Sequence, residues 1–525
     1  MSVLGIAVHH DGIIDPIHQS DAHHNAALAG LLFGYDTGVA SGIQGYLQSY
    51  FHLTAGELGF AIACLDLGAI AGAAFAGTLA DKHGRKAVLL VCAVLFAISG
   101  ILSAIPQNIW ELVLARILGG LAIGASSMVA PVYIAEISPE KHRGRLGSLF
   151  QLGIVVGIAL VYWVNYAIVV HGNAQHAHDL ATLSHSSAML AIHNSSSWNQ
   201  RIGWRLMLGS EVLPALLFLV LLLGIKESPR WLIVNDREDH ARTILQRLFG
   251  TERAEKEIAA VKQVASEEEG RLSELFKPQY RLPLIVALFL AVFSQFSGIN
   301  SIIYYAPRVF AAAGMHTNNA FGATALIGMV NLAFTFIAIG FVDKAGRKLL
   351  LAIGTAIQVV SLASVALVFK LAPREAQITV HHRVTWQGGM SAAAFHRLAV
   401  SFHTHITMAP HFSHTQVHIL VLSVLVFISA FAMAMGPMPW VIISEIFPAR
   451  IRGRAASVGV LTLWAAIFVV AQTFPVLKEY AGLTTTYMLY SICSLISFLF
   501  VVFVLPETKG RTLEEIERHW RHRSA

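Results

Sequence analysis

Asp81-Lys-His-Gly-Arg-Lys86 recurs as Asp343-Lys-Ala-Gly-Arg-Lys348, 262 residues along the chain (81 to 343). Two more segments repeat in the same order. Ile134-Ala-Glu-Ile-Ser-Pro139, followed by Arg143-Gly-Arg145, returns 309 residues on (134 to 443) as Ile443-Ser-Glu-Ile-Phe-Pro448 and Arg452-Gly-Arg454. Glu227-Ser-Pro-Arg230 returns loosely as Glu507-Thr-Lys-Gly510, 280 on (227 to 507). The unequal offsets require an insertion in each copy. These are 171–203 and 372–417, both His-rich and weakly apolar. The chain therefore reads as a duplication: a tail 1–25, a first half 26–225, a charged linker 226–281, a second half 282–505 and a tail 506–525.

Composition says what each half is made of. Hydrophobic residues are 55% of the 525, charged residues 13%, and mean hydropathy is +0.61. A water-facing surface carries more charge than that. Ala87–Ile105, Leu349–Phe369 and Tyr487–Leu505 hold no charge at all. Each is long enough to cross ~30 Å of hydrocarbon as a helix. Backbone polar groups in lipid must be bonded internally, so such blocks are helices. Spans are expected near 26–50, 57–80, 87–105, 110–135, 146–170, 205–225, 282–306, 319–342, 349–371, 418–444, 455–476 and 484–505. This predicts an all-α membrane protein of twelve transmembrane helices in two six-helix pseudo-symmetric halves. Short cytoplasmic helices are expected in the linker around Ala254–Gly270.

A net charge of +6 suggests nucleic acid, but its distribution points to a bilayer. Lys82, Arg85 and Lys86, Lys141, Arg143 and Arg145, Lys344, Arg347 and Lys348, and Arg450, Arg452 and Arg454 share alternate loops with the linker and the C-terminal tail. The intervening loops near 51–56, 106–109 and 314–318 carry none. The positive-inside rule then puts both termini in the cytoplasm and both inserts outside. The N-terminal residues lack the basic and apolar regions of a signal peptide. Cys64, Cys92 and Cys493 fall inside spans, which excludes a disulfide scaffold and a Cys-based metal site. No nucleophile–base pair or phosphate loop appears, so an enzyme is not expected, nor is a cofactor.

The motifs form an ordered set. Gly30-Leu-Leu-Phe-Gly-Tyr-Asp-Thr-Gly-Val39, Arg116-Ile-Leu-Gly-Gly120, the two Asp-Lys-x-Gly-Arg-Lys loops, Glu227-Ser-Pro-Arg-Trp-Leu232, Gly298-Ile-Asn300 with Tyr304 and Tyr305, Gly436-Pro-Met-Pro-Trp440 and Pro506-Glu-Thr-Lys-Gly-Arg511 together resemble the sugar porter family of the major facilitator superfamily. The resemblance runs from Ala26 to Arg518, apart from the inserts. It implies a plasma-membrane carrier, in a bacterium the inner membrane, with its solute at the midplane between the halves. The implied cargo is a monosaccharide or polyol, moved by proton symport or by facilitated diffusion, with a monomer as the working unit. A membrane sugar sensor is a third reading, disfavoured by a short tail ending at Ala525.

Four ionisable side chains fall well inside the spans: Asp36, Asp66, Arg116 and Glu211. Charge there is costly and usually functional. The resemblance makes Asp36 and Arg116 the proton switch, against a static ion pair. It gives Glu211 a supporting place. Asp66 stands where the family is apolar, and its readings are a second proton site, a wet cavity, or a position nearer the surface. The resemblance carries the solute site to Gln151, Gln295, Asn300, Asn331 and Trp440. It departs from the family at Ser294, Ile158, and Leu463 and Ile467 beside Trp464. Asp81, Arg85, Glu136, Arg143, Asp343, Arg347, Glu445 and Arg452 are expected to form a cytoplasmic gate network.

Span one has a polar lead-in, Asp21-Ala-His-His-Asn25, and its cytoplasmic end is expected to be short. Thirteen of the 25 histidines lie in or beside the inserts: His171, His176, His178, His185, His193, His381, His382, His396, His403, His405, His411, His414 and His418. Their irregular spacing without carboxylates or Cys favours a solvated spacer over pH sensing or metal capture.

Overall fold

The structure, a computed structural model, describes residues 16–138, 143–182, 197–265, 272–380, 404–410, 412–439, 442, 446–447 and 449–507. For 16–25, 143–147, 179–182, 264–265, 342–345, 374–380, 404–410, 449–450 and 452 it describes the backbone alone. The calls on Trp440 and Glu445, and those on His185, His193, His381, His382, His396, His403 and His411, lie outside the described residues.

Twelve stretches among the described residues are long and apolar enough to cross a membrane. In the first half they belong to α1 (Pro16–Phe51), α2 (Ala55–His83), α3 (Arg85–Ala104), α4 (Ile109–Ile137), α5 (Arg143–Thr182) and the pair α6 (Trp204–Gly209) and α7 (Val212–Gly224). The linker forms α8 (Pro229–Val234), α9 (Glu238–Phe249) and α10 (Thr251–Ala265). The second half holds α11 (Pro278–Phe296), α12 (Ile299–Ala312), α13 (Thr317–Ala345), α14 (Arg347–Leu371), α15 (His414–Met433), α16 (Ala449–Tyr480) and α17 (Gly482–Phe503).

Local chemistry sets several ends. Thr54 and Glu57 form a reciprocal capping box at α2, and Ser413 and Gln416 do the same at α15. Asn108 caps α4. Span seven breaks between α11 and α12 at Gly298, whose φ of +80° suits glycine. A side chain there would also strike the Tyr490 ring, its Cβ only 2.5 Å away.

In lipid no hydrophobic force draws apolar helices together, so close approach and dispersion must hold them. Glycines provide that approach. A methyl on Gly30 or Gly34 of α1 would collide with the Phe150 or Ile154 carbonyl of α5. One on Gly68 or Gly72 of α2 would collide with α4, and one on Gly120 or Gly124 of α4 with α2. Large side chains such as Phe75, Leu213, Val360 and Phe503 turn outward, as a lipid-facing surface requires.

Four expectations need correction. Helix α1 runs back through Asp21–Asn25 to Pro16, so its end is long rather than short. Span five continues to Thr182 instead of ending at 170. Span ten is interrupted after Met433 by a turn over 434–437, because Pro437 has no N–H to continue the helix; the Gly436 N–H turns back to the Phe431 carbonyl at 2.9 Å, and Met438 and Pro439 are helical again. The second insert also departs from an all-α fold. Its ends form an antiparallel ladder of β1 (Arg374–Val380) and β2 (Thr404–Pro410), pairing Arg374 with Pro410 and Val380 with Thr404.

The spacer reading also fails for the end of the first insert. Asn199 is fully buried and donates to the Val169 carbonyl (3.1 Å) and the Asn173 side chain (3.0 Å). The linker is a small folded body, with Trp231, Leu232, Ile233, Ala241, Leu245, Ala254 and Ile258 as its core. Lys262 and Arg242 hold the Glu238 carboxyl below its usual range.

Gly34→Val should force α1 from α5, an overpacking cost of ~1–3 kcal/mol or more. The purified variant should lose thermal stability in detergent; unchanged melting would refute the glycine seam.

Candidate functional site

Two kinds of side chain occupy the interior. One is ionised. Asp36 of α1 and Arg116 of α4 form a buried ion pair, and Arg116 Nη2 also reaches the Asp36 carbonyl at 3.4 Å. Gly119 makes room: a Cβ there would stand 3.1 Å from Asp36 Oδ2, which has no hydrogen-bond partner. Glu211, between α6 and α7, is also buried and within electrostatic range of both partners. Asp66 is buried too, so in this state it lies neither at the surface nor against solvent.

The other kind is amide. Gln295 and Asn300 flank the break in span seven, and Asn300 Nδ2 donates to Gln295 Oε1 at 2.7 Å. Gln295 Nε2 donates in turn to Ser294 Oγ at 3.0 Å. Asn331 of α13 is buried and Gln151 of α5 half-buried, and neither has a hydrogen-bond partner among the described residues. Gly328 packs on Ala159, so Asn331 and Gln151 both lie along the α5–α13 seam between the halves. The apolar departures Ile158, Leu463 and Ile467 are buried, and Trp464 leans on Phe33 across the halves at 5.1 Å.

Several hydrogen bonds join the halves. Tyr162 donates to the Ile303 carbonyl (2.7 Å), Gln472 to the Gly56 carbonyl (3.0 Å) and Asn173 to the Asn318 side chain (2.7 Å). Gln44 donates to the Tyr304 carbonyl, and Arg308 to Gln48. Apart from Tyr162, which stands at the middle of α5, these residues lie toward the helix ends remote from the Lys- and Arg-rich loops.

At the basic-loop end, Arg85 pairs with Glu136 through two bonds of 3.1 Å. Asp81, one turn earlier on α2, also pairs with Arg85 at 3.2 Å but is 74% exposed, against 7% for Glu136. A buried bidentate pair holds an arginine better than an exposed single contact. The linker joins this cluster. Ser228 donates to Glu136 at 2.5 Å, and Trp231 Nε1 to the Asp81 carbonyl at 2.8 Å. The side chains of Arg143, Asp343 and Arg452 lie outside the described set.

One device was not recognised from sequence. Glu227 accepts from the Arg85 and Lys86 amides, capping α3 at 2.9–3.2 Å. Glu507 accepts from the Arg347 and Lys348 amides, capping α14 at 3.1 and 3.2 Å. Gly84 and Gly346 precede these caps with φ of +95° and +90°, and a methyl on Gly84 would collide with Glu227. The loose Glu227/Glu507 repeat was its only signal.

Residues 24–520 match the model of the family described as "Sugar (and other) transporter". The chain is 34% identical to the arabinose-proton symporter of Bacillus subtilis, covering 94% of this chain and 93% of that one. It is 35% identical to the D-xylose-proton symporter of Escherichia coli, over 94% of each. The inward-open structure of the xylose transporter from E. coli superposes with a TM-score of 0.72 at 32% identity, covering 96% of this chain and 100% of that one.

Glu227→Ala should leave the first amides of α3 without their charged acceptor, a loss of ~1–2 kcal/mol. Thermal unfolding in detergent should register it, and Glu507→Ala should behave alike; stability unmoved in both would refute the cap.

Proposed function

The chain belongs to the sugar transporter family, and we propose that it carries a monosaccharide or related polyol across the membrane with a proton, by alternating access. The observation that carries this reading is the buried Asp36–Arg116 pair. An ionised acid in the membrane interior is stable only when paired or hydrated. A rearrangement that parts it from Arg116 favours the protonated acid. Proton binding and the position of the halves are then linked, and each biases the other. Glu211, within range of both, stabilises the arginine while Asp36 is protonated.

The solute is received by Gln295 and Asn300 at the break in span seven, Gln151 and Asn331 on the α5–α13 seam, and Trp440. Amides provide paired donors and acceptors for sugar hydroxyls. Gln151 and Asn331, with no hydrogen-bond partner among the described residues, are ready to serve; Gln295 and Asn300 exchange their mutual bond for the ligand.

The basic-loop end is assigned to the cytoplasm, with both termini there, in the plasma membrane and for a bacterial host the inner membrane. Bonds between the halves at the opposite end support an inward-facing state. Asp81, Arg85, Glu136, Arg143, Asp343, Arg347, Glu445 and Arg452 form the inner gate, and a monomer suffices for the cycle.

Gln295→Ala should weaken solute binding by ~1–3 kcal/mol, measured by calorimetry on the purified protein. Affinity unchanged there and in alanine variants of Gln151, Asn300 and Asn331 would displace the site. Asp36→Asn should abolish accumulation of labelled solute in proteoliposomes under an inward proton gradient while leaving counterflow. Accumulation that persists in this variant rules Asp36 out as the coupling acid.

A further inference from the structure

Asp66 lies in the middle of α2, fully buried, and neither carboxylate oxygen has a hydrogen-bond partner among the described residues. Its helical face can be read from its neighbours. Gly68 and Gly72 press on α4, whereas Gly59, seven residues before Asp66 and so on the same face, presses on Gln472 of α16. The Asp66 face is therefore the one α2 turns to the other half. Tyr304 and Tyr305 of α12 lie within its electrostatic range from across the seam. Arg116 of α4 and Asp36 of α1 lie within range from its own half, as does Cys64 on its own helix. Arg116 is already bonded to Asp36, and α16 carries no charged residue from Ala455 to Val476.

An ionised carboxylate here would have neither water nor a bonded cation. Such a group is tolerated only in its neutral form. The seam it faces is held shut by the bonds from Gln44, Gln48, Tyr162 and Gln472.

We propose that Asp66 is a second proton-binding site, distinct from Asp36, that takes a proton from the outer solution as the halves close around it. This rests on the transport reading above. When the outer end opens, water enters the seam and the carboxylic acid gives its proton back to the same solution. Asp66 thus moves no proton across; it makes closure of the outer gate proton-dependent, while Asp36 couples. The sign follows: the closed form is favoured at low external pH and lost as pH rises.

The test is the distance between spin labels at Gln107→Cys and Asn319→Cys, in a Cys493→Ser background, followed against pH in the full-length protein. The closed population should grow as pH falls. Asp66→Asn, permanently uncharged, should stay closed at high pH and flatten the dependence by up to ~tenfold per pH unit, the limit for one proton. Asp66→Glu should restore it, and Asp36→Asn should remove only the share that its own linkage contributes, leaving the Asp66 share in place. A pH curve in Asp66→Asn that matches the parent overturns the proposal. Should that variant misfold, infrared spectroscopy of protein that keeps Asp66, in ester-free detergent, decides. A protonated-carboxyl band at neutral pH that persists in the Asp36→Asn and Glu211→Gln variants supports the site, and its absence overturns it. Neither readout needs net transport, so failure here is separable from failure of coupling at Asp36.

Discussion

Hydrocarbon surrounds the middle of this protein, and each polar group buried there is stabilised by a partner within the chain. The ion pair of Asp36 and Arg116 joins α1 to α4 because neither residue has a cheaper place to go. The same constraint bonds Asn300 to Gln295 across a broken helix, where unwound backbone also exposes polar groups. Polar atoms left without partners stand out for that reason. Asp36 Oδ2, Asp66 and Glu211 Oε1 all belong to one neighbourhood of the first half.

The contacts within a half differ in kind from those between halves. Within the first half, α1 meets α5 and α2 meets α4 at backbone level, glycine against carbonyl. Such seams tolerate no sliding, since any side chain larger than hydrogen would clash. Between halves, most of the bonds are made by the tips of side chains such as Gln44, Tyr162, Arg308 and Gln472. Tips can release and find water without repacking a helix. Rigid bodies joined by releasable contacts rock as units, which is the motion alternating access requires.

The twelve spans were legible because uncharged blocks of that length have one stable fate in lipid, and the duplication was legible because its loops are charged and specific. The start of α1 was missed because Asp21–Asn25 is polar, and polarity cannot distinguish an exposed helix turn from a tail. The break after Met433 was legible in principle: Gly436 and Pro437 lie inside the block read as continuous. The strands at 374–380 and 404–410 pair across an insert whose composition gave no strand signal. In the site, the Asp36–Arg116 pairing was implied by the resemblance, and Arg116 was the one cation read well inside the spans. The Asp81–Arg85 contact followed from their spacing, but the second acid on Arg85 did not, because only the fold reveals that Glu136 is buried beside it while Asp81 faces solvent.

Each cap glutamate sits at the far end of its half. Glu227 closes a helix that began 142 residues earlier, and Glu507 one that began 160 residues earlier. During synthesis, therefore, the start of α3 waits for its acceptor until nearly the whole first half has left the ribosome. Once Glu227 emerges, that half can be sealed before any of the second exists. The second half is sealed the same way, by a residue that follows its last span. Assembly order is thus written into the chain: two successive closures, each completed by the final residues of the module it locks.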